Sequence, residues 1–172
     1  MATTSAVPLK PGPLHPLIVP ILHNAGQLQY RSGKIEEAIV TYTEALAQAR
    51  ALYGHFHVAV GATLNSLGVL HYHLSSDLSS KAMELFQEAL EIRRAALGLE
   101  HADVATTLNN MGRIHVQRDE FDAALGYYED ALRIRKACLG YDKTESRPSR
   151  CSLYPLQYWI VSSATGELRR GH

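Results

Sequence analysis

The sequence predicts an all-α solenoid of three helix-turn-helix units with irregular termini, and three observations predict it. First, the stretches "HPLIVPILHNAG" (15–26), "HVAVGATLNSLG" (57–68) and "HADVATTLNNMG" (101–112) share columns: His15, His57, His101; Ile18, Val60, Val104; Leu22, Leu64, Leu108; Gly26, Gly68, Gly112. Second, another set of columns follows in each unit: Ala38, Ala82, Ala124; Tyr42, Phe86, Tyr128; Ala45, Ala89, Ala131; Leu46, Leu90, Leu132; Gly54, Gly98, Gly140. Third, apolar spacing is helical in both halves, as in Leu85, Phe86, Ala89, Leu90 and Ile92, with charged residues on the opposite side. A helical hairpin cannot bury its apolar face alone, but stacked copies share a continuous core, and three is about the minimum for stability.

The elements follow in order. Helix A of the three units is expected at about 17–31, 58–74 and 102–117, and helix B at about 34–52, 79–96 and 120–138. Gly33 and Asp119 occupy the hairpin turns of the first and third units, and Gly54, Gly98 and Gly140 sit where each helix B must stop. In the second unit the hairpin turn falls in "HLSSDLSS" (73–80). Gly26, Gly68 and Gly112 are costly inside a helix, by about 1 kcal/mol each relative to alanine. They lie on the apolar face, opposite the small alanines of helix B, which marks them as points of close helix approach. Tyr42, Phe86 and Tyr128 are read as core. The chain divides into a disordered Pro-rich N-terminus (1–14), three repeats (15–142; about 15–56, 57–100 and 101–142) and a non-repeat tail (143–172).

Composition bounds the function. Apolar residues make up 46% of the 172-residue chain, so global disorder does not fit. Lys plus Arg and Asp plus Glu are 17 each, which removes the general electrostatic argument for nucleic acid or an anionic membrane. The two cysteines, Cys138 and Cys151, form no pairing framework, so a reducing compartment fits and a disulfide scaffold does not. Five prolines interrupt the first 20 residues before a signal-type apolar core can form, and no apolar run approaches the roughly 20 residues that span a bilayer. The expectation is a cytoplasmic protein.

The columns of "HADVATTLNNMGRIHVQRDEFDAALGYYEDALRIRKACLG" (101–140), and more loosely of 57–98 and 15–54, resemble tetratricopeptide repeats of the long, 42-residue kind found in kinesin light chains. That resemblance implies a right-handed α-solenoid whose A helices line a concave groove, and a protein interaction adaptor or scaffold that binds a short peptide segment of a partner there. Polar and aromatic residues outside the core columns then mark the groove: His23, Gln27, Tyr30 and Arg31; Asn65, Val69, Tyr72 and His73; Asn109, Arg113 and Gln117, with Val116 in the same set. Asparagine amides offer a donor and an acceptor to an extended backbone, the tyrosines add apolar area, and Arg31 and Arg113 pair with carboxylates, so an acidic peptide is expected. The competing reading makes the same arginines ordinary surface charges. Asn24, Ser66 and Asn110 share a column expected to hydrogen-bond between neighbouring helices.

Other chemistries are not signalled. His71 and His73 point to different faces, His15, His57 and His101 belong to different units, and His55 and His57 lack a third ligand, so no metal or other cofactor is expected. There is no phosphate-cradling loop, nucleophile elbow or HExxH, hence no enzyme. Glu84, Glu88 and the Glu129/Arg133 pair read as a solvated surface. Arg93, Arg94, Arg133, Arg135 and Lys136 read as charges at helix C-terminal ends. An RNA-binding helical repeat would call for a shorter period and a basic groove. The tail keeps none of the columns; Leu153, Leu156, Trp159 and Ile160 could form a short cap, or the tail is disordered, or the chain is a truncated or alternatively spliced product whose tail did not evolve with the repeats. In the latter two cases an apolar face stays open and self-association through the third repeat, or docking of another chain, is the alternative function.

Overall fold

The computed structural model describes residues 15–74 and 79–139. Among them six helices run in order: α1 Ile18–Arg31, α2 Ile35–Tyr53, α3 Val58–Leu74, α4 Ser79–Leu97, α5 Ala102–Gln117 and α6 Phe121–Cys138. These bounds fall within a residue of the helices expected from the sequence. The N-terminal segment 1–14, the turn centred on 75–78 and the tail from 140 lie outside the described residues.

The hairpins α1/α2, α3/α4 and α5/α6 stack so that each helix A also packs on the helix B before it, α3 on α2 and α5 on α4. The cores consequently lie between units. Val19, Ala49, Val60, Leu64, Ala89 and Ile92 form one cluster across the first and second units, with Ala38, Tyr42, Leu67 and Leu70 beside it. Phe86, Leu90, Val104, Leu108, Met111 and Ile134 belong to the cluster across the second and third. Each fully buried large side chain contributes about 1.5–3 kcal/mol relative to its exposed state.

The glycine columns have a specific partner. A Cβ on Gly26 would stand 2.7 Å from the Tyr42 ring, on Gly68 2.6 Å from Phe86, and on Gly112 2.8 Å from Tyr128. The missing side chain thus makes room for an aromatic ring of helix B in the same hairpin, and the two column sets identified in the sequence are the two halves of one contact. Tyr42 and Phe86 are buried, at 4% and 1% exposure. Tyr128 is half-buried rather than core, because no described helix covers α6 from the far side. At the hairpin turns the chain reverses through positive φ, at Gly33 (82°) and at Asp119 (59°), a residue type that tolerates the left-handed region.

The histidine column has a role that spacing did not reveal. His15 Nδ1 accepts from the Leu17 backbone N–H (3.2 Å), His57 Nδ1 from Ala59 (3.2 Å) and His101 Nδ1 from Asp103 (3.1 Å). Each imidazole satisfies an N–H at the start of helix A that the helix itself cannot, the task usually given to Ser, Thr, Asp or Asn.

Four sequence readings are corrected. Arg93 is not a solvated charge; it is 5% exposed, and its Nη1 donates to the Asp103 carbonyl oxygen (2.8 Å) and to Thr107 Oγ1 (2.7 Å) of α5. Its stem lies against Gly61, so it runs through the seam between the second and third units. Arg133 reaches Glu100 (3.4 Å) and Asp130 (3.5 Å) as its salt-bridge partners, not Glu129. Glu88 bridges units, bonding Arg50 of α2 and lying 3.7 Å from His55. Cys138 is disulfide-bonded, against the expectation of unpaired thiols, and the residue joined to it lies outside the described residues.

Candidate functional site: the face of the A helices

Helices α1, α3 and α5 touch one another in sequence and together present one face. Position by position, the residues proposed from the sequence fall into two groups. Four of them form a line that crosses both unit boundaries near the C-terminal ends of the A helices. The Tyr30 ring of α1 lies 5.8 Å from the His73 ring of α3, tilted by 37°. His73 meets Tyr72 edge-on at 5.2 Å. Over the Tyr72 ring, 4.6 Å from its centroid, stands the Arg113 guanidinium of α5.

Tyr30, Tyr72 and Arg113 are half-buried and His73 is exposed. A cation held over an aromatic face gains about 0.5–1 kcal/mol when the site is partly exposed, and it keeps its outward N–H groups for another acceptor. Val69, one turn before Tyr72, is half-buried and packs on the adjoining core, where it supports the line from below. Gln27, Arg31, Asn109 and Gln117 are exposed around this line.

The second group is drawn inward. Asn65 and Asn109 occupy the same column, yet they differ: Asn109 is exposed, while Asn65 Oδ1 accepts from Asn110 Nδ2 of the next unit at 3.3 Å. Asn110, 8% exposed, does bridge helices as expected, and Ser66 of the same column lies against Tyr42 of the preceding unit, whereas Asn24 is exposed. His23 is half-buried and packs edge-on against Tyr42 at 5.1 Å. Burial, with Arg93 as a secondary cause, pushes its pKa below the ordinary 6.5. Arg93 is the residue that sequence reasoning misplaced, whereas Asn110 was expected between helices. The signal for Asn110 was the doubled asparagine itself.

Four histidines have pKa values below 6.5. Burial is the main cause at His57 and, joined by Lys81 and Arg113 respectively, at His71 and His73, as it is at His23. Above pH 6.5 neither the folded nor the unfolded chain carries these protons, and stability is complete. As pH falls through 6.5 the unfolded chain takes up protons that the folded chain refuses, so stability declines until the lowered folded values are passed. Thermal unfolding at pH 7.5 and pH 5.5 is expected to show a lower midpoint at pH 5.5. His57→Asn, which retains a cap acceptor and does not titrate, should reduce that difference; an unchanged midpoint across the two pH values would refute the assignment.

Among the described residues no group of three or more His, Cys, Asp or Glu could hold a metal ion, and no helix is long and apolar enough to cross a membrane.

The comparisons with known proteins agree with this architecture. The tetratricopeptide repeat family matches residues 17–80 and 77–137. The crystal structure of BtubC (BKLC) from P. vanneervenii is 30% identical, covers 75% of this chain and superposes with a TM-score of 0.63; the chain spans 51% of that protein. Nearly identical TPR-like repeats assigned to a kinesin light chain of Podosopora anserina superpose with a TM-score of 0.61 at 17% identity, over 90% of this chain and 70% of that one, a likeness of fold. No curated protein matches the sequence.

Proposed function

The chain belongs to the tetratricopeptide repeat family, whose repeats are protein interaction modules, and from that premise we propose that it is a non-enzymatic adaptor. On this reading the face of α1, α3 and α5 holds a short, extended, acidic segment of a partner protein. The observation that carries it is the line Tyr30, His73, Tyr72, Arg113, which joins three A helices through side chains that offer apolar area beneath and a cation above. Arg31 and Arg113 would meet carboxylates, and exposed Gln27, Asn109 and Gln117 would meet peptide backbone. His23 and Asn65 support this face from within, since their own contacts are to Tyr42 and Asn110.

The test is a titration of the full chain with decapeptides rich in Asp and Glu, set against Lys-rich decapeptides of the same length. The acidic set should bind and the basic set should not. Loss of a charge-assisted hydrogen bond costs about 1.5–3 kcal/mol, so Arg113→Gln should weaken binding about ten- to hundredfold with helicity unchanged. Equal binding of both sets, or an Arg113→Gln protein that binds as well as the parent, would sink the reading. A second reading, in which the third unit docks another chain, is favoured by Leu132, 52% exposed in a column that is covered in the other two units. It predicts a mass that rises with concentration.

A further inference from the structure

Helix B of every unit carries one apolar stripe toward the unit that follows. In the first two units it is covered. Ile35, Ile39, Leu46 and Tyr53 of α2 pack into the clusters beneath α3, and Met83 and Leu90 of α4 are 9% and 8% exposed beneath α5. The equivalent residues of α6 are open: Phe121 is 62% exposed, Leu125 56%, Leu132 52% and Leu139 73%. Four large apolar side chains in one row on a single helix is an arrangement that water disfavours and that a covering segment resolves.

The geometry points to the segment 153–160, "LYPLQYWI", as the cover of this stripe: an extended apolar strap, formed by the same chain, that closes the solenoid at its third unit. The proposal concerns the outer face of α6 and is independent of the groove ligand.

Three arguments carry it. In both earlier units the cover is the stretch of chain that comes directly after helix B, α3 after α2 and α5 after α4, so the residues that follow α6 are first in line. Of the residues after 140, the run 153–160 is the apolar one; it has no charged side chain, whereas 140–152 is polar and charged. It can also reach. Cys138 is disulfide-bonded and Cys151 is the other cysteine of the chain, so Leu153 follows two residues after a tether to the C-terminal end of α6, and the eight residues 153–160 span about 26–29 Å when extended against about 27 Å for α6. Pro155 withholds a backbone N–H and excludes a regular helix, which fits a strap laid along α6 rather than a seventh helix.

A second copy of the chain is the weaker occupant. One helix face about 27 Å by about 10 Å falls well short of the roughly 800 Å² per partner that a stable dimer ordinarily buries. A tethered segment needs less, because a short linker holds it at an effective concentration in the millimolar range.

The strap carries its own reporter, since Trp159 is the sole tryptophan. Fluorescence and iodide quenching of the full chain, recorded together with light scattering over a range of concentrations, test the proposal. In the parent protein Trp159 should emit to the blue of its position in denaturant and resist iodide, with a monomeric mass at every concentration. Leu132→Glu, at a half-exposed position that the hairpin itself does not need, should move the emission to the red and open Trp159 to iodide while helicity persists. Full iodide access in the parent protein overturns the proposal without reference to any variant. So does an emission that Leu132→Glu leaves unchanged, and so does a blue shift that develops only as the mass doubles, which would give the stripe to a second copy.

Discussion

Gly68→Ala is expected to destabilise the chain by about 2 kcal/mol, the reverse of what the same change does on an open helix surface, where alanine gains about 1 kcal/mol over glycine. The reason is the 2.6 Å that would separate the new Cβ from Phe86 Cε1, with Cδ1 at 2.8 Å and Cζ at 2.9 Å. Phe86 cannot step aside, because at 1% exposure it is enclosed by Ala82, Leu90, Leu108 and Met111 of the same core. The hairpin must therefore open slightly, which loosens both seams of the second unit. Urea unfolding measures the loss. The double variant Gly68→Ala, Phe86→Leu separates clash from propensity: with the ring replaced by a shorter side chain, alanine at 68 should cost less than it does against Phe86. A Gly68→Ala protein as stable as the parent would show that the ring does not depend on the notch.

The second large effect is expected at Arg93. Its guanidinium is buried in the seam of the second and third units and bonded to the Asp103 carbonyl and Thr107 hydroxyl, and burial lowers its pKa although Asp103 works in the opposite sense. Arg93→Ala removes two charge-assisted hydrogen bonds and the stem that packs on Gly61, and should cost about 2–4 kcal/mol. Arg93→Met keeps most of the stem and removes the buried charge with its desolvation cost, so it should be the milder change. Because units in such an array are coupled through their seams, Arg93→Ala should also broaden the urea transition as the third unit melts ahead of the others. A loss below about 0.5 kcal/mol would return Arg93 to the class of surface charges.

Most of the backbone plan was legible in the sequence because each unit states it again. A glycine that recurs at the same place on the apolar face of three helices is hard to attribute to chance, and the aromatic column with which it pairs recurs in step. What periodicity could not supply was the direction of side chains across a seam. Asn65 and Asn109 share one column and were both read as groove residues; that Asn65 turns to Asn110 of the next unit while Asn109 stays exposed depends on how α5 is set against α3, which only the packed structure shows. The same holds for Arg93. At the end of a helix it looked like a partner of the macrodipole and of water, until the helix that follows in the array was placed against it. Arg113 was singled out for its charge, but its seat over Tyr72 joins two units and has no trace in the order of residues. The capping histidines were visible as a column and unreadable as caps, since imidazole is rarely given that task.

The ring-in-notch contact also says how an array of this kind can change its length. Gly26 receives Tyr42, Gly68 receives Phe86 and Gly112 receives Tyr128, each within one hairpin. This close fit is thus settled inside a unit before that unit meets a neighbour. Duplication or loss of a whole unit would leave every such fit intact and ask only that one seam be made again from residues that already repeat. Length in this scaffold is then a matter of copy number, and the parts that have to be invented afresh are its two ends.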